Sequence, residues 1–251
     1  MKCLICSGRL DSFFVKDFNQ EYSLNKIHYD KCINCGTVMA RELIDMPIYK
    51  WEKLNNDFHS LFLYKPEFDL DPNWNRRIDN QVRDISDLNS NNIINASMCL
   101  DYACGDGRLL DGLANNNIVG IGYDRYTDFI SGAIFLKHKY DLIINTSFFE
   151  HIRKRRDIEM INNLVSDNGC LALHTLVCEN ISCNPDWFYL VPVHSVLYTN
   201  KAMEILFNEW KYKYSLYNPD SRMWFWFKKN INITYLPERF LIKDGFLDYW
   251  K

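Results

Sequence analysis

The stretch LDYACGDGRLLDGL at residues 100–113 constrains the fold of this chain more than any other segment. A short apolar run ends in Asp101, two glycines follow at Gly105 and Gly107, and a helical pattern then begins. A buried strand that ends in a glycine-rich turn and a helix N-terminus forms a ligand site at the edge of an open sheet. Glycine suits such a turn because the ligand approaches the backbone closely and φ can be positive there. The stretch therefore predicts a strand, loop and helix that bind a small molecule.

Strand and helix patterns alternate after this loop, which predicts an α/β fold with a parallel sheet and helices on both faces. The predicted strands cover 98–103, 118–124, 141–146, 169–175 and 223–227, and the predicted helices cover 107–115, 129–138, 153–165 and 201–210. Thr199 or Asn200 is a suitable cap for the last helix. Residues 46–88 also have a helical pattern, in which Ile78, Val82 and Ile85 fall on one face.

Two ligand classes suit the glycine loop, a dinucleotide and S-adenosylmethionine. The dinucleotide fingerprint requires a third glycine three residues after the second, and Leu110 stands there. S-adenosylmethionine has no phosphate and carries an ammonium and a sulfonium, which the carboxylate of Asp101 can attract. Asp124, at the end of the next predicted strand, is placed to accept hydrogen bonds from a ribose. That second acid occurs with both ligands and does not separate them.

Together the stretches LDYACGDGRLLDGL, VGIGYD and YDLIINTSFFEHI resemble the core of a class I S-adenosylmethionine-dependent methyltransferase, over roughly residues 98–210. The resemblance implies a Rossmann-like sheet, with the first loop around the methionine moiety and the acid after the second strand on the ribose. The cofactor-binding residues that it implies are Asp101, Tyr102, Ala103, Gly105, Gly107, Asp124, Arg125, Asn145, Thr146 and Ser147.

One departure from that family lies between Asp124 and Asp141, where only 16 residues intervene. This is too short for the usual helix, strand and helix, so we expect the sheet to be shortened between its second and fourth strands. The residues that normally frame the adenine are affected, and Phe129 and Phe148 are the aromatic candidates for that contact.

Four cysteines near the N-terminus form two pairs, Cys3 with Cys6 and Cys32 with Cys35, each with two residues between. Two such pairs favour tetrahedral zinc, and four thiolate ligands leave no open position, so the ion would be structural. Incidental thiols and an iron–sulfur site are the alternatives. His28 is expected to be a surface residue, and the five other cysteines are expected to be small buried side chains. Nine cysteines and no export signal indicate the reducing cytoplasm.

Methyl transfer to a hydroxyl or carbon acid needs a base, preferably one that titrates near neutrality. His194 is the first candidate because it lies among aromatic residues in PDWFYLVPVHSVLYT, a segment expected to close over the substrate. His151 is the second candidate, and Tyr189 could orient His194 or the substrate. This segment resembles one found in a bacterial branch of small-molecule and nucleotide-sugar methyltransferases that carry a four-cysteine zinc module.

The basic run RKRR at residues 153–156 is interpreted as a solvated helix face, or alternatively as a phosphate-binding patch for a nucleotide-linked substrate. The net charge of −3 argues against nucleic acid as a partner, and no apolar run is long enough to span a membrane. Oligomeric state does not follow from the sequence.

We expect three regions: a zinc-ribbon-like four-cysteine module at 1–45, a helical connector or lid at 46–92, and a methyltransferase domain at 93–251 with a substrate-capping insertion around 180–220. The predicted function is S-adenosylmethionine-dependent methylation of a small molecule, a sugar or nucleotide-linked sugar in polysaccharide or metabolite biosynthesis, with O-methylation favoured. The alternatives are an RNA methyltransferase with a zinc knuckle and a non-catalytic module that only binds the cofactor.

Overall fold

The computed structural model describes residues 2–64, 74–126 and 137–249. The chain divides into two compact units, each built from three separate segments. The first unit comprises Met1–Pro72, Ser147–Ile158 and Thr175–Leu206, and the second comprises Asn73–Thr146, Glu159–His174 and Phe207–Lys251. The predicted domain boundaries at 45 and 92 remain predictions.

The second unit is built on a sheet of seven described strands in the order β11-β9-β10-β7-β6-β4-β5. These strands are β4 (Cys99–Tyr102), β5 (Ile121–Tyr123), β6 (Tyr140–Thr146), β7 (Val165–His174), β9 (Tyr214–Asn218), β10 (Met223–Phe227) and β11 (Leu241–Asp244). Strands β5, β4, β6 and β7 pair in parallel, and β10, β9 and β11 continue the sheet in antiparallel pairs. Parallel pairing brings the carboxyl ends of β4, β5 and β6 to one edge, which is where ligands bind in open α/β sheets.

Helices α3 (Trp74–Ser90) and α4 (Arg108–Ala114) pack against each other in this unit. Val82, Ile85 and Leu88 of α3 are buried in the core together with Leu113 of α4. A Cβ atom at Gly112 would lie 2.6 Å from the Val82 side chain, so glycine lets the two helices approach closely. The apolar face predicted for α3 therefore packs into the core.

The first unit contains a four-stranded antiparallel sheet in the order β1-β2-β3-β8. Its elements are β1 (Leu10–Asp17), β2 (Lys26–Cys32), β3 (Val38–Ala40), α1 (Arg41–Asp45), α2 (Ile48–Tyr64) and β8 (Val196–Leu197). Tyr29, Val38 and Leu43 are fully buried in the core of this unit with Val193. The element β8 comes from the segment after residue 175, so this sheet joins distant parts of the chain.

Two further helices, α5 (Arg155–Leu164) and α6 (Asn200–Glu209), lie close to their predicted positions. Thr199 caps α6 as predicted, since its Oγ1 accepts a hydrogen bond from the backbone N–H of Ala202 at 3.2 Å.

Several predicted elements need correction. The helical stretch expected at 46–88 forms α2 and α3, and residues 65–73 between them lie outside the described residues. Strand β7 begins at Val165 and not at 169, and β1, β2 and β3 were not predicted. The predicted helix at 129–138 and Phe129 fall largely in 127–136, which the structure does not describe. No helix in the described residues is long and apolar enough to cross a membrane.

Candidate functional site

The loop after β4 adopts a conformation that few residue types tolerate. Ala103, Gly105 and Gly107 have φ values of 65°, 58° and 82°. The backbone N–H groups of Ala103 and Cys104 both donate to the carbonyl of Tyr123, which fixes the loop to the end of β5. A Cβ atom built on Gly105 would have no heavy atom of the described residues within 4 Å, so these residues leave open space beside the backbone at this point. The loop therefore offers room for a ligand close to its main chain.

Asp101, the acid at the carboxyl end of β4, is almost completely buried, with 1% of its surface exposed. Its Oδ1 atom has no hydrogen-bond partner among the residues that the structure describes. Burial, and then the nearby Asp124 carboxylate, raise the pKa of Asp101 to about 7. A buried carboxylate of this kind is unfavourable until a cation or hydrogen-bond donor reaches it. Asp101 is thus suited to receive a positively charged ligand group.

Asp124 follows β5 and connects the two loops at this edge of the sheet. Its Oδ2 accepts a hydrogen bond from the backbone N–H of Gly105 at 3.0 Å, and its Oδ1 accepts one from Tyr126 at 2.7 Å. Each carboxylate oxygen can accept a further hydrogen bond, so the side chain remains able to bind hydroxyl groups.

Asn145 near the end of β6 is fully buried and donates through Nδ2 to the carbonyl of Tyr102 at 2.8 Å. Its Oδ1 atom has no partner in the described part of the chain. The ring of Tyr102 lies 5.0 Å from that of Tyr123. The second unit therefore brings together Asp101, Tyr102, Ala103, Gly105, Gly107, Asp124 and Asn145 at one sheet edge. Of the other predicted cofactor residues, Thr146 ends β6, Arg125 is exposed, and Ser147 belongs to the first unit.

A family model described as "Methyltransferase domain" matches residues 74–239, about two thirds of the chain. The chain belongs to this methyltransferase family. Its glycine loop and Asp101 agree with the class I resemblance, and the protein is an S-adenosylmethionine-dependent methyltransferase with the α/β sheet of that class. The unpartnered Asp101 oxygen and the open space at Gly105 fit a cofactor that carries positive charge.

Solved structures with a similar fold include the plantazolicin methyltransferase BamL in complex with a triazolic desmethylPZN analog and SAH. It is 15% identical to this methyltransferase, covers 71% of this chain and 75% of its own, and has a TM-score of 0.40. The plantazolicin methyltransferase BpumL in complex with SAH is 12% identical, with 71% and 77% coverage and a TM-score of 0.38. No curated protein sequence matches the chain.

The first unit of the methyltransferase contains a cluster of histidines that includes both predicted base candidates. The ring of His151 lies 5.0 Å from that of His194 and 5.3 Å from that of His59. The Nδ1 atom of His194 lies 2.8 Å from the carbonyl oxygen of Tyr189, and the two rings are 4.2 Å apart. His151, His194 and Tyr189 are thus neighbours.

Glu150 connects this cluster and was not singled out from the sequence as a site residue. Only 2% of its surface is exposed. Its carboxylate accepts hydrogen bonds from the hydroxyl groups of Tyr189, at 2.9 Å, and Thr175, at 2.8 Å. The Glu-His pair at 150–151 was the sequence feature that could have identified Glu150. Its hydrogen-bond partners, Thr175 and Tyr189, lie 25 and 39 positions further along the chain, so local spacing does not reveal them.

The expectation of a base that titrates near neutrality is wrong for both histidines in this structure. Burial lowers the pKa of His194 to about 3. Burial, followed by the neighbouring His194 and His59, also lowers the pKa of His151 well below its usual value. Both imidazoles are therefore neutral at physiological pH.

The four N-terminal cysteines converge in the first unit, and their sulfur atoms lie within 4.8 Å of one another. The Cys3–Cys35 and Cys6–Cys32 sulfur distances are 3.6 and 3.4 Å. Four thiolates around zinc at about 2.3 Å would lie about 3.8 Å apart, so the cluster fits a tetrahedral ion. A Cβ atom at Gly8 would come within 3.0 Å of the Cys32 sulfur, so glycine leaves room for the sulfur cluster.

Both interpretations of the basic run RKRR need correction for two of its members. Arg153 donates to the backbone carbonyls of Leu43, Ile44 and Met46 around the end of α1. Arg155 donates to the carbonyl of Ile5 at 2.7 Å. These guanidinium groups stabilise the first unit, because they satisfy carbonyls at a helix end and in the cysteine segment. Lys154 and Arg156 are exposed, as expected for a solvated face.

Two smaller expectations have different outcomes. His28 is partly exposed, and its Nδ1 lies 2.6 Å from the carboxylate of Glu42. This histidine therefore interacts with Glu42 and not with the cysteine cluster. Cys99 and Cys170 are buried as expected, whereas Cys183 is exposed and the expectation is wrong for it.

We predict that Asp101→Asn stabilises the ligand-free protein at about pH 8 but weakens cofactor binding. The folded-state pKa of Asp101 lies above its unfolded value of 3.8, so stability falls as the pH rises from that value to about 7 and stays at the lower level above it. Asparagine removes that cost, and Tm should rise by about 2–4 °C for each kcal/mol recovered. Loss of the charge should weaken S-adenosylhomocysteine binding by about 10–100-fold.

Thermal unfolding and calorimetric titration from about pH 6 to 8 provide the measurement, since wild-type affinity should increase with pH through this range. The control is Asp106→Asn, which changes an exposed acid in the same loop. Equal pH dependence of binding in wild type and Asp101→Asn would contradict the assignment of Asp101.

Proposed function

We propose that this methyltransferase methylates a hydroxyl group of a small molecule, a sugar or nucleotide-linked sugar in polysaccharide or metabolite biosynthesis, in the cytoplasm. The observation that carries the cofactor side of the proposal is the buried, unpartnered Oδ1 of Asp101 beside an open glycine loop. When bound, S-adenosylmethionine supplies an electrophilic methyl group on its sulfonium.

In this proposal the two strand-end acids have separate roles. Asp101, with Tyr102, Ala103, Gly105 and Gly107 around it, binds the methionine portion and its ammonium. Asp124 and Arg125 bind the ribose side, and Asn145 and Thr146 complete the pocket. Asn145 supports this arrangement because its bond to the Tyr102 carbonyl holds β6 against the loop of β4.

We further propose that His194 accepts the proton of the substrate hydroxyl, while His151 and Tyr189 hold it in place. The bond between His194 Nδ1 and the Tyr189 carbonyl places the proton on Nδ1 and leaves the lone pair on Nε2 available. A hydroxyl becomes strongly acidic as its oxygen takes the methyl group, so a weakly basic imidazole is sufficient. A carbon acid needs a stronger base. The low pKa of His194 therefore favours O-methylation over C-methylation.

The charge distribution bears on the class of acceptor. A net charge of −3 gives no general attraction for nucleic acid, which weighs against the RNA alternative. Arg153 and Arg155 are engaged with backbone carbonyls, so a phosphate of a nucleotide-linked sugar would have to bind elsewhere or at Lys154 and Arg156. The neutral, buried histidine cluster suits an uncharged hydroxyl.

An acceptor screen tests this function directly. The purified protein is incubated with S-adenosylmethionine and either free sugars, nucleotide-linked sugars or bulk RNA, and S-adenosylhomocysteine release is measured. We expect release with a sugar-containing acceptor and a product heavier by one methylene group. Release with RNA alone would overturn the proposal, and cofactor binding without release for any acceptor would favour the non-catalytic alternative.

His194→Gln should lower kcat by about 10²–10⁴ with cofactor affinity unchanged, because the acceptor proton then lacks its base. His138→Gln, which changes an exposed histidine, is the matched control. Since the pKa of His194 is about 3, its protonation should leave kcat unaffected between about pH 6 and 8. Turnover of His194→Gln at the wild-type rate would remove His194 from the mechanism.

We also propose that Cys3, Cys6, Cys32 and Cys35 hold one structural Zn²⁺. The convergence of four sulfurs, with no nitrogen or oxygen ligand beside them among the described residues, supports a closed site with no position for substrate. Zinc here would tie the N-terminal segment to the end of β2 at Cys32.

Elemental analysis of the purified protein should give one zinc per chain. Removal of the metal, or Cys35→Ser, should lower Tm and increase proteolysis of the N-terminal segment, because three thiolates hold the ion less tightly. Cys183→Ser changes an exposed cysteine outside the cluster and should have no effect. A zinc content near zero in protein purified without chelators would end this proposal.

A further inference from the structure

A second group of metal-ligating side chains lies in the first unit, apart from the four cysteines. Glu150, His151 and His194 each offer a ligand atom, and these atoms lie within 4.8 Å of one another. Nitrogen and oxygen ligands of a first-row ion at about 2.0–2.1 Å are separated by about 3.3 Å, so small side-chain rotations bring the three atoms to bonding distance.

We propose that Glu150, His151 and His194 bind one divalent transition-metal ion, and that an ion bound there inhibits methyl transfer. The first part depends only on the geometry of these residues. The second part rests on the proposed function, in which the Nε2 lone pair of His194 takes the acceptor proton.

Hydrogen bonding leaves one nitrogen of each histidine available to an ion. His194 donates from Nδ1 to the carbonyl of Tyr189, which leaves its Nε2 lone pair available. The buried Nδ1 of His151 has no hydrogen-bond partner among the described residues. Each imidazole thus offers one nitrogen to a metal ion.

Glu150 supplies the negative charge. Its two oxygens accept hydrogen bonds from Tyr189 and Thr175, which orient the carboxylate. The Glu150 carboxylate is almost completely buried, so a bound divalent cation would balance its charge.

The ligand set selects the class of metal. Two imidazoles and one carboxylate suit Zn²⁺, Co²⁺ or Ni²⁺, whereas Mg²⁺ and Ca²⁺ prefer oxygen ligands alone. His59, whose ring lies 5.3 Å from that of His151, is the nearest described candidate for a fourth ligand.

The test is a Co²⁺ titration of the full-length protein with its cysteine site already filled with zinc. One equivalent should bind with visible d–d absorption and without the near-ultraviolet charge-transfer band of a thiolate ligand. Separate His151→Ala and Glu150→Gln variants should each weaken Co²⁺ binding by at least about tenfold. His138→Ala should bind as wild type does, and circular dichroism checks that each variant folds.

Absence of the d–d absorption, or the same affinity in His138→Ala, His151→Ala and Glu150→Gln, would overturn the metal site. With an acceptor identified, saturating Co²⁺ should lower turnover at least tenfold while S-adenosylhomocysteine affinity stays constant; undiminished turnover with Co²⁺ bound would overturn the inhibition. Cobalt binding needs no acceptor, so a positive titration with a failed acceptor screen would count against the proposed function alone.

Discussion

The proposed cofactor site depends on an unfavourable interaction, the burial of the Asp101 carboxyl group without a full set of hydrogen bonds from the described residues. The strand position places the group inside the sheet edge, and Asp124 nearby adds a second negative charge that raises its pKa further. The loop beyond it has three residues with positive φ, at Ala103, Gly105 and Gly107. Such strain persists where the surrounding structure holds it, here through hydrogen bonds to the Tyr123 carbonyl and the Asp124 carboxylate. A cationic ligand would relieve the charge part of this cost, so under the proposed function stability is given up for cofactor binding.

The carboxylate of Glu150 is also buried, but unlike that of Asp101 it has hydrogen-bond partners on both oxygens. Its oxygens accept hydrogen bonds from two hydroxyl groups, and its backbone carbonyl accepts the N–H of Ser195. One oxygen of Asp101 has no partner among the described residues, which suits the proposed ligand, whereas the hydrogen bonds of Glu150 hold Tyr189 and Thr175 in place. The two candidate metal centres differ in a similar way. The four cysteines form a closed, all-sulfur site, while Glu150, His151 and His194 provide three ligands among the described residues, which leaves a fourth position for His59 or another ligand. A closed site serves stability and an open one can affect chemistry.

The features predicted from the sequence are those encoded by local spacing. The acid and glycines of residues 101–107 follow a short apolar run, so β4, its loop and α4 could be predicted within a few positions. The spacing of the paired cysteines likewise predicted that their sulfur atoms come together. The predictions that were wrong concern features that depend on contacts between distant segments of the chain. The role of Arg153 arises because the carbonyls of Leu43 and Ile44 lie beside it, more than a hundred residues away in sequence. The pKa of His194 follows from its burial, which a pattern of residue types does not specify.

The different titration behaviour of Asp101 and His194 separates two kinds of pH effect. The pKa of Asp101 lies near neutrality, so under the proposed function pH acts on the affinity for a cationic cofactor. His194 stays neutral across the same range, so pH does not change its capacity to accept a proton. In a typical acid–base enzyme the catalytic group titrates near the working pH and controls kcat. Here the titrating group lies at the cofactor loop, and the physical reason is that both groups are buried: burial raises the pKa of an acid and lowers that of an imidazole. The same desolvation thus brings one group into the physiological range and moves the other out of it.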